Sequence, residues 1–242
     1  MPISALLLDL DGTLLDSNAR HAEAWARAAA EAGHALPPHR FDREIGKGGD
    51  QLVADVFGPD VERAQGDALR DATGRHLRPV VAARGVRMFD GAEALIDAAR
   101  ARGLRVALAT SASADDLDLL FEAAGHDLRP LVDAVTTASD VDESKPEPDI
   151  VCAAARALGV APGACALVGD TVYDGDAAWR AGAAFVGVAT WVWSAALLTG
   201  AGAAFVAPTT ADLAAQLGEA LEAAEARQAS RAGDGVSGGS SA

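Results

Sequence analysis

Asp9 and Asp11 stand in the run Asp9-Leu10-Asp11-Gly12-Thr13, at the end of an apolar stretch that begins at Ile3. Thr110 and Ser111 end a second such stretch, Leu104 to Thr110. Lys145 opens the segment Lys145-Pro146-Glu147-Pro148-Asp149. Gly169-Asp170, with Asp174 four residues on, follows a third stretch, Ala164 to Val168. If these stretches are strands of one open α/β sheet, their polar ends converge, because ligands in such sheets lie beyond the carboxyl ends of the strands. The assembled set is four carboxylates, hydroxyls and one ammonium. Crowded carboxylates repel and drive protons onto some of their number, and a divalent cation removes that conflict. Oxygen donors with no His or Cys among them select Mg²⁺ and do not suit zinc. The lysine and the hydroxyls suit the oxygens of a phosphate.

The elements that must hold these groups are legible from periodicity. Short apolar runs (Ile3 to Leu10, Leu104 to Thr110, Asp133 to Thr137, Ala164 to Val168, Ala184 to Val188) alternate with Ala-rich stretches that read as helices over 92–102, 114–124, 149–158 and 174–181. Gly103, Gly125, Gly159 and Gly182 follow those helices as stops. This alternation predicts an α/β fold: a doubly wound, Rossmann-like parallel sheet. Between the first strand and the next lies an insertion that reads as all-helical, with helices over 18–32, 42–57 and 60–77 broken at Pro37-Pro38 and Gly58-Pro59. An insertion of this size predicts a small second domain. The expected division is an α/β core of 1–15 and 86–225, a helical cap domain of 16–85, and a disordered tail of 226–242, whose residues are small and polar.

Charge narrows the partners. The chain of 242 residues has a formal net charge of −15, and half of it is hydrophobic. Such an acidic balance excludes a nucleic-acid binder, which needs a basic face, and an anionic membrane surface. A small anionic substrate remains compatible, because a site can be locally positive. Only two of the 20 basic residues are lysines, Lys47 and Lys145, and both lie in Gly- or Pro-flanked loops. Cys152 and Cys165 form no CxxC pair and read as reduced thiols. With no secretory signal and no membrane-length apolar run, the expected location is cytoplasmic.

Taken in order, DLDGT after the first strand, a strand ending in Thr-Ser, a Lys-Pro loop and a GDxxxD motif resemble the haloacid dehalogenase-like hydrolase superfamily over residues 3 to 190. The insertion, the segment His21-Ala22-Glu23-Ala24-Trp25 and Ser144-Lys145-Pro146-Glu147-Pro148-Asp149 are similar to its phosphoglycolate phosphatase and β-phosphoglucomutase-like branch, which carries a helical cap. The resemblance implies that Asp9 is a nucleophile forming an aspartyl phosphate and that Asp11 is the general acid/base. It implies Mg²⁺ held by Asp9, Asp170 and the backbone carbonyl of Asp11, with Asp174 in support. Thr110, with Ser111, and Lys145 are expected to bind the phosphoryl oxygens, and Gly12 lets the backbone approach closely.

Competing readings of the same residues are weaker. An EF-hand loop needs Gly at its sixth position and Glu at its twelfth, whereas Gly12 stands fourth. Gly46-Lys47-Gly48-Gly49 is no P-loop, because Phe41 stands where the first Gly belongs and Gly48 replaces Ser/Thr. It reads instead as a cap loop with Lys47 as a substrate contact. His21 is expected near the hinge, touching substrate or Asp11; Trp25 is expected in the cap core. A signalling receiver also gathers acids, a hydroxyl and a lysine, but has no helical insertion and places its acceptor after a later strand. The expectation is an Mg²⁺-dependent phosphatase of a small phosphate monoester, a sugar phosphate or a phosphorylated small acid, acting as a monomer or homodimer. The alternative is a β-phosphoglucomutase-like phosphomutase, against which stands the lack of a cap arginine beside Lys47.

Overall fold

The computed structural model describes residues 2–237. In chain order it begins with β1 (Ala5–Leu8), β2 (Leu15–Asp16), α1 (Asn18–Glu31), α2 (Gly49–Phe57), α3 (Pro59–Arg84) and β3 (Arg87–Met88). There follow α4 (Ala92–Ala101), β4 (Arg105–Ala109), α5 (Ala114–Ala124), β5 (Ala134–Thr136), α6 (Asp149–Leu158), β6 (Cys165–Gly169) and α7 (Val172–Ala181). The chain ends with β7 (Ala184–Val188), α8 (Ala195–Gly200), β8 (Phe205–Ala207), α9 (Thr210–Ala215) and α10 (Leu217–Ser237).

β1 is apolar along its whole length because both of its faces are covered. Leu6 and Leu8 join the cluster that includes Leu95, Ile96, Leu213 and Leu217 from α4, α9 and α10. Ala5 and Leu7 face the opposite cluster with Ile150, Val151 and Ala177 from α6 and α7. This strand lies in the interior of a six-stranded parallel sheet of order β5-β4-β1-β6-β7-β8. Its register aligns Leu8 with Leu108 of β4 and Val168 of β6. Asp9, Thr110 and Asp170 follow those three strand ends, so sheet register alone carries them to one edge.

The insertion packs around its own apolar cluster, which includes Trp25, Phe41, Ile45, Leu52 and Leu69. The rings of Trp25 and Phe41 stack with centroids 6.4 Å apart, placing Trp25 in the interior of the insertion as expected. The antiparallel pair β2–β3 joins insertion and core, with Leu15 opposite Met88 and Asp16 opposite Arg87.

Three details depart from the sequence reading. The helix expected from Asp42 begins only at Gly49, because Gly46 takes a φ of +106° and residues 42–48 turn instead. The third helix of the insertion runs on through Pro79 to Arg84. Pro79 lies on its exposed side, where losing one backbone hydrogen bond is tolerated. The disordered tail expected from 226 is helical as far as Ser237. Its composition suggests no structure, but long-range bonds hold it. Gln228 Nε2 donates to the Gly182 carbonyl at 2.9 Å, Arg231 donates to that of Trp179 at 3.0 Å, and the Arg231 guanidinium lies 3.7 Å from the Trp179 ring centroid. The expectation for 238–242 lies outside the described residues. Cys152 and Cys165 are both free thiols. Among the described residues no helix is long and apolar enough to cross a membrane.

Candidate active site

Lys145 is fully buried, and its ammonium donates to Asp9 Oδ1 at 2.5 Å and to Asp174 Oδ1 at 2.7 Å. Asp174 is fixed by the start of α7. Its Oδ2 accepts the Thr171 hydroxyl at 2.6 Å and the Thr171 N–H at 3.1 Å, while its own N–H donates back to Thr171 Oγ1 at 3.2 Å. This capping box satisfies the helix end and leaves Oδ1 free to hold the lysine. Asp170, also fully buried, accepts from Asn18 Nδ2 at 3.0 Å and from the Thr13 hydroxyl at 3.4 Å. Gly12 lies against it with a φ of +78°, and a Cβ there would stand 2.3 Å from Asp170 Oδ2.

One ammonium cannot neutralise this group. Burial pushes Asp9 up to about 7 despite Lys145, and Asp174 and Asp11 add to the rise. Burial, then Asp9 and Asp174, drives Asp170 well above the carboxylate range. Burial works against the Lys145 charge, but Asp174 and Asp9 hold its ammonium above the ordinary lysine value.

Asp9, Asp170 and Asp174 each offer a carboxylate oxygen within 4.8 Å of the others. Hard oxygen donors, surplus negative charge and burial together fit a divalent cation of the Mg²⁺ type. Among the described residues Asn18 Oδ1, beside Asp170, is buried without a partner, a further polar group suited to a hydrated ion.

Asp11 stands outside that cluster and is held separately. Its Oδ1 accepts the Ser17 hydroxyl at 2.5 Å and lies 2.9 Å from His21 Nε2. Burial raises such a carboxyl, but His21 and then Ser17 outweigh it and keep Asp11 below its usual value. Burial likewise disfavours the imidazolium of His21, yet Asp11 outweighs it and lifts the ring above its ordinary value. Both shifts share one geometric cause, the 2.9 Å contact between His21 Nε2 and Asp11 Oδ1. His21, expected near substrate or Asp11, is in contact with Asp11.

A cavity of about 600 Å³ opens above these groups, between the core and the insertion. Asp9, Asp11, His21 and Ser111 line it. The Ser111 hydroxyl is buried with no partner. Thr110 is buried beneath, its Oγ1 accepting the Ala112 N–H at 3.1 Å. Lys47 also borders the cavity, but its ammonium is already paired with Glu44 at 2.5 Å and with Asp55, and it lies 4.7 Å from the Tyr173 ring centroid. The free cation that a substrate contact at Lys47 requires is thus bound within the insertion and against the core. Arg78 of α3 is exposed on the cavity wall and makes no hydrogen bond or ion pair among the described residues.

Ser17, Asn18, Thr171 and Arg78 were not singled out by the sequence. Ser17 is the residue before α1, where a Ser ordinarily caps the helix; here its side chain makes no cap bond because it serves Asp11. That diversion is invisible without the fold. Thr171 did carry a signal, since Thr171-x-x-Asp174 is a capping-box spacing.

Comparison with known proteins places this geometry. The chain is 34% identical over 187 residues to a protein of Nitrosospira multiformis named phosphoglycolate phosphatase, covering 75% of this chain and 81% of that one. It is 31% identical over 181 residues to the plasmid-encoded protein CbbY of Cupriavidus necator, covering 70% and 71%. The crystal structure of a hydrolase from Pseudomonas syringae superposes with a TM-score of 0.80 at 28% identity, covering 89% of this chain and 98% of that one. Residues 3–182 match the haloacid dehalogenase-like hydrolase family model. The chain belongs to the haloacid dehalogenase-like hydrolase family.

Proposed function

We propose that this protein is an Mg²⁺-dependent phosphatase that hydrolyses a small phosphate monoester through an aspartyl phosphate on Asp9. The observation that carries the reading is the buried Asp9–Lys145–Asp174 chain beside Asp170, open to a cavity that also receives Asp11. The reading divides the chain into a core of 1–15 and 86–225 and a cap of 16–85 over the cavity.

Lys145 holds Asp9 Oδ1, so Oδ2 is the oxygen placed to attack phosphorus. The P–O bond to the leaving alkoxide breaks as the Asp9–phosphorus bond forms. Asp11, supplied with a proton by His21, protonates that alkoxide; it then takes a proton from the water that cleaves the acyl phosphate. The Ser111 hydroxyl and Lys145 meet the non-bridging oxygens, with Thr110 supporting the turn beneath Ser111. Asp9, Asp170 and the Asp11 carbonyl, with Asp174 in support, would hold the cation, which would offset the negative charge that the carboxylates and the phosphate share.

The cavity suits a sugar phosphate or a phosphorylated small acid in volume. Arg78 favours a substrate bearing a second anionic group, because it is the arginine of the wall whose charge is not already spent. Arg78→Ala is expected to raise KM for such substrates by roughly ten- to a hundredfold, the worth of one charge-assisted hydrogen bond. KM for p-nitrophenyl phosphate stays near wild type. Equal losses on both substrates remove Arg78 from recognition. The phosphomutase alternative loses support from Lys47, whose ammonium is committed to Glu44 and Asp55. A phosphate-release screen over sugar phosphates, phosphoglycolate and nucleotides, with Mg²⁺ or EDTA, tests the whole reading, beside a glucose 1-phosphate isomerisation assay. No Mg²⁺-dependent release from any of them overturns it.

A further inference from the structure

The segment from 42 to 50, which is the loop before α2 and the first two residues of that helix, touches the core at several points. Tyr173 OH donates to the Arg43 carbonyl at 2.8 Å, and Trp191 Nε1 donates to that of Asp42 at 3.2 Å. Gly46 meets Thr171 so closely that a Cβ would stand 2.6 Å from its methyl. One contact differs in kind, because it reaches the residue preceding Lys145. The Ser144 hydroxyl donates to Asp50 Oδ1 and accepts the Gly48 N–H at 3.1 Å. The Ser144 N–H lies 3.4 Å from Asp50 Oδ2. Ser144 is buried, and a Cβ on Gly48 would stand 2.4 Å from Ser144 Cβ and Oγ. The hydroxyl thus finds both of its partners in the insertion, with one bond given and one taken.

We propose that Asp50 is a positioning residue: the bond from Ser144 to Asp50 ties closure of the insertion over the cavity to the loop that presents Lys145 to Asp9. This rests on the phosphatase reading above for its kinetic consequence, but not for its structural one. When the 42–50 segment lifts, Ser144 and Asp50 exchange each other for water at small net cost, since hydrogen bonds between protein groups replace those to solvent. The clasp is therefore reversible. It bears on the reaction through geometry: Lys145 Nζ sits 2.5 Å from Asp9 and 2.7 Å from Asp174, and the residue before it, whose carbonyl accepts the Glu147 N–H at 2.9 Å within its own loop, has its hydroxyl and N–H held by Asp50 only while the insertion is seated. A substrate that fills the cavity and favours the seated state thereby also sets the lysine.

Asp50→Ala and Ser144→Ala are the test, read in two independent ways. Amide hydrogen exchange at Gly48 and its neighbours is expected to quicken by about tenfold in each variant, as one hydrogen bond of closure is lost. On the best substrate of the release screen, kcat/KM is expected to fall by about tenfold in each, and the double variant to be no worse than either single one, as befits one shared interaction. Asp50→Asn, whose amide oxygen still accepts the Ser144 hydroxyl, is expected to restore most of the loss. A merely structural contact would lower the melting temperature and leave kcat/KM of the folded variants unchanged. Unchanged exchange at Gly48 overturns the clasp, whatever the activity. Faster exchange with unchanged kcat/KM overturns its coupling to Lys145. Absence of Mg²⁺-dependent release from any substrate of the screen defeats the phosphatase reading while leaving the exchange result standing.

Discussion

Asp9→Asn is expected to lower turnover of p-nitrophenyl phosphate by about 10⁴-fold or more, the scale on which deleting a nucleophile disables a catalytic unit. The change is nearly isosteric, and Asn can still accept from Lys145, which also keeps Asp174. The fold is therefore expected to survive. Stability without metal should hold or rise, because the substitution removes one carboxylate from a buried group that has only one ammonium. Phosphate release and a thermal melt on the same sample decide the matter. Near-wild-type turnover in a folded Asp9→Asn protein excludes Asp9 as the attacking group, and a collapsed melting temperature would mean that its charge is structural.

The second large effect concerns the cation. Millimolar Mg²⁺ is expected to raise the melting temperature by about 5 °C or more, since a ligand that binds only the folded state stabilises it by mass action. EDTA is expected to abolish turnover. The pH dependence has a definite sign. The folded value for Asp9, about 7, lies above the 3.8 of an unfolded aspartate. Between those values the folded state holds a proton that the unfolded chain has lost. The stability this group contributes is thus fully present below 3.8 and is lost as pH rises through about 7. A bound cation takes the place of that proton. The rise in melting temperature with Mg²⁺ is therefore expected to be small at pH 5 and to grow toward pH 8. Melts in Mg²⁺ and in EDTA at the two pH values check this; equal shifts at both would separate metal binding from the carboxylate group. Asp170→Asn should largely erase the shift.

Much of the scaffold could be read because its signals are local. The apolar run at Ala5–Leu8 needs no partner to announce a strand covered on both faces, and Gly125, Gly159 and Gly182 mark helix ends through their left-handed backbone. The short β8 and the pair β2–β3 carry too few residues for a periodic signal and were not anticipated. α10 escaped because Gln228 and Arg231 are held by carbonyls of residues 179 and 182, and composition is blind to bonds across such a distance. The candidate site divides in the same way. Asp9, Lys145, Asp170 and Asp174 meet because strand ends meet. Ser17, Asn18 and Asp50 are ordinary helix-start residues in the sequence; only the packing of the insertion against the core turns their side chains to Asp11, Asp170 and Ser144. Lys47 shows the converse: a rare lysine in a glycine-rich loop invited a ligand, but Glu44 of its own loop and Asp55 of the helix that follows reached it first.

The register of β1 has a consequence for how the chain is made. Its partners are residues 105–108 and 165–168, so the aliphatic quartet Ala5–Leu8 leaves the ribosome long before either neighbour exists. At ordinary elongation rates the wait is on the order of ten seconds or more. α1, α2 and α3, whose contacts are mostly with one another, can meanwhile condense as soon as they emerge. The segment that carries Asp9 is thus synthesised well before it is enclosed, and nascent chains halted before residue 165 should be the ones that aggregate or recruit chaperones.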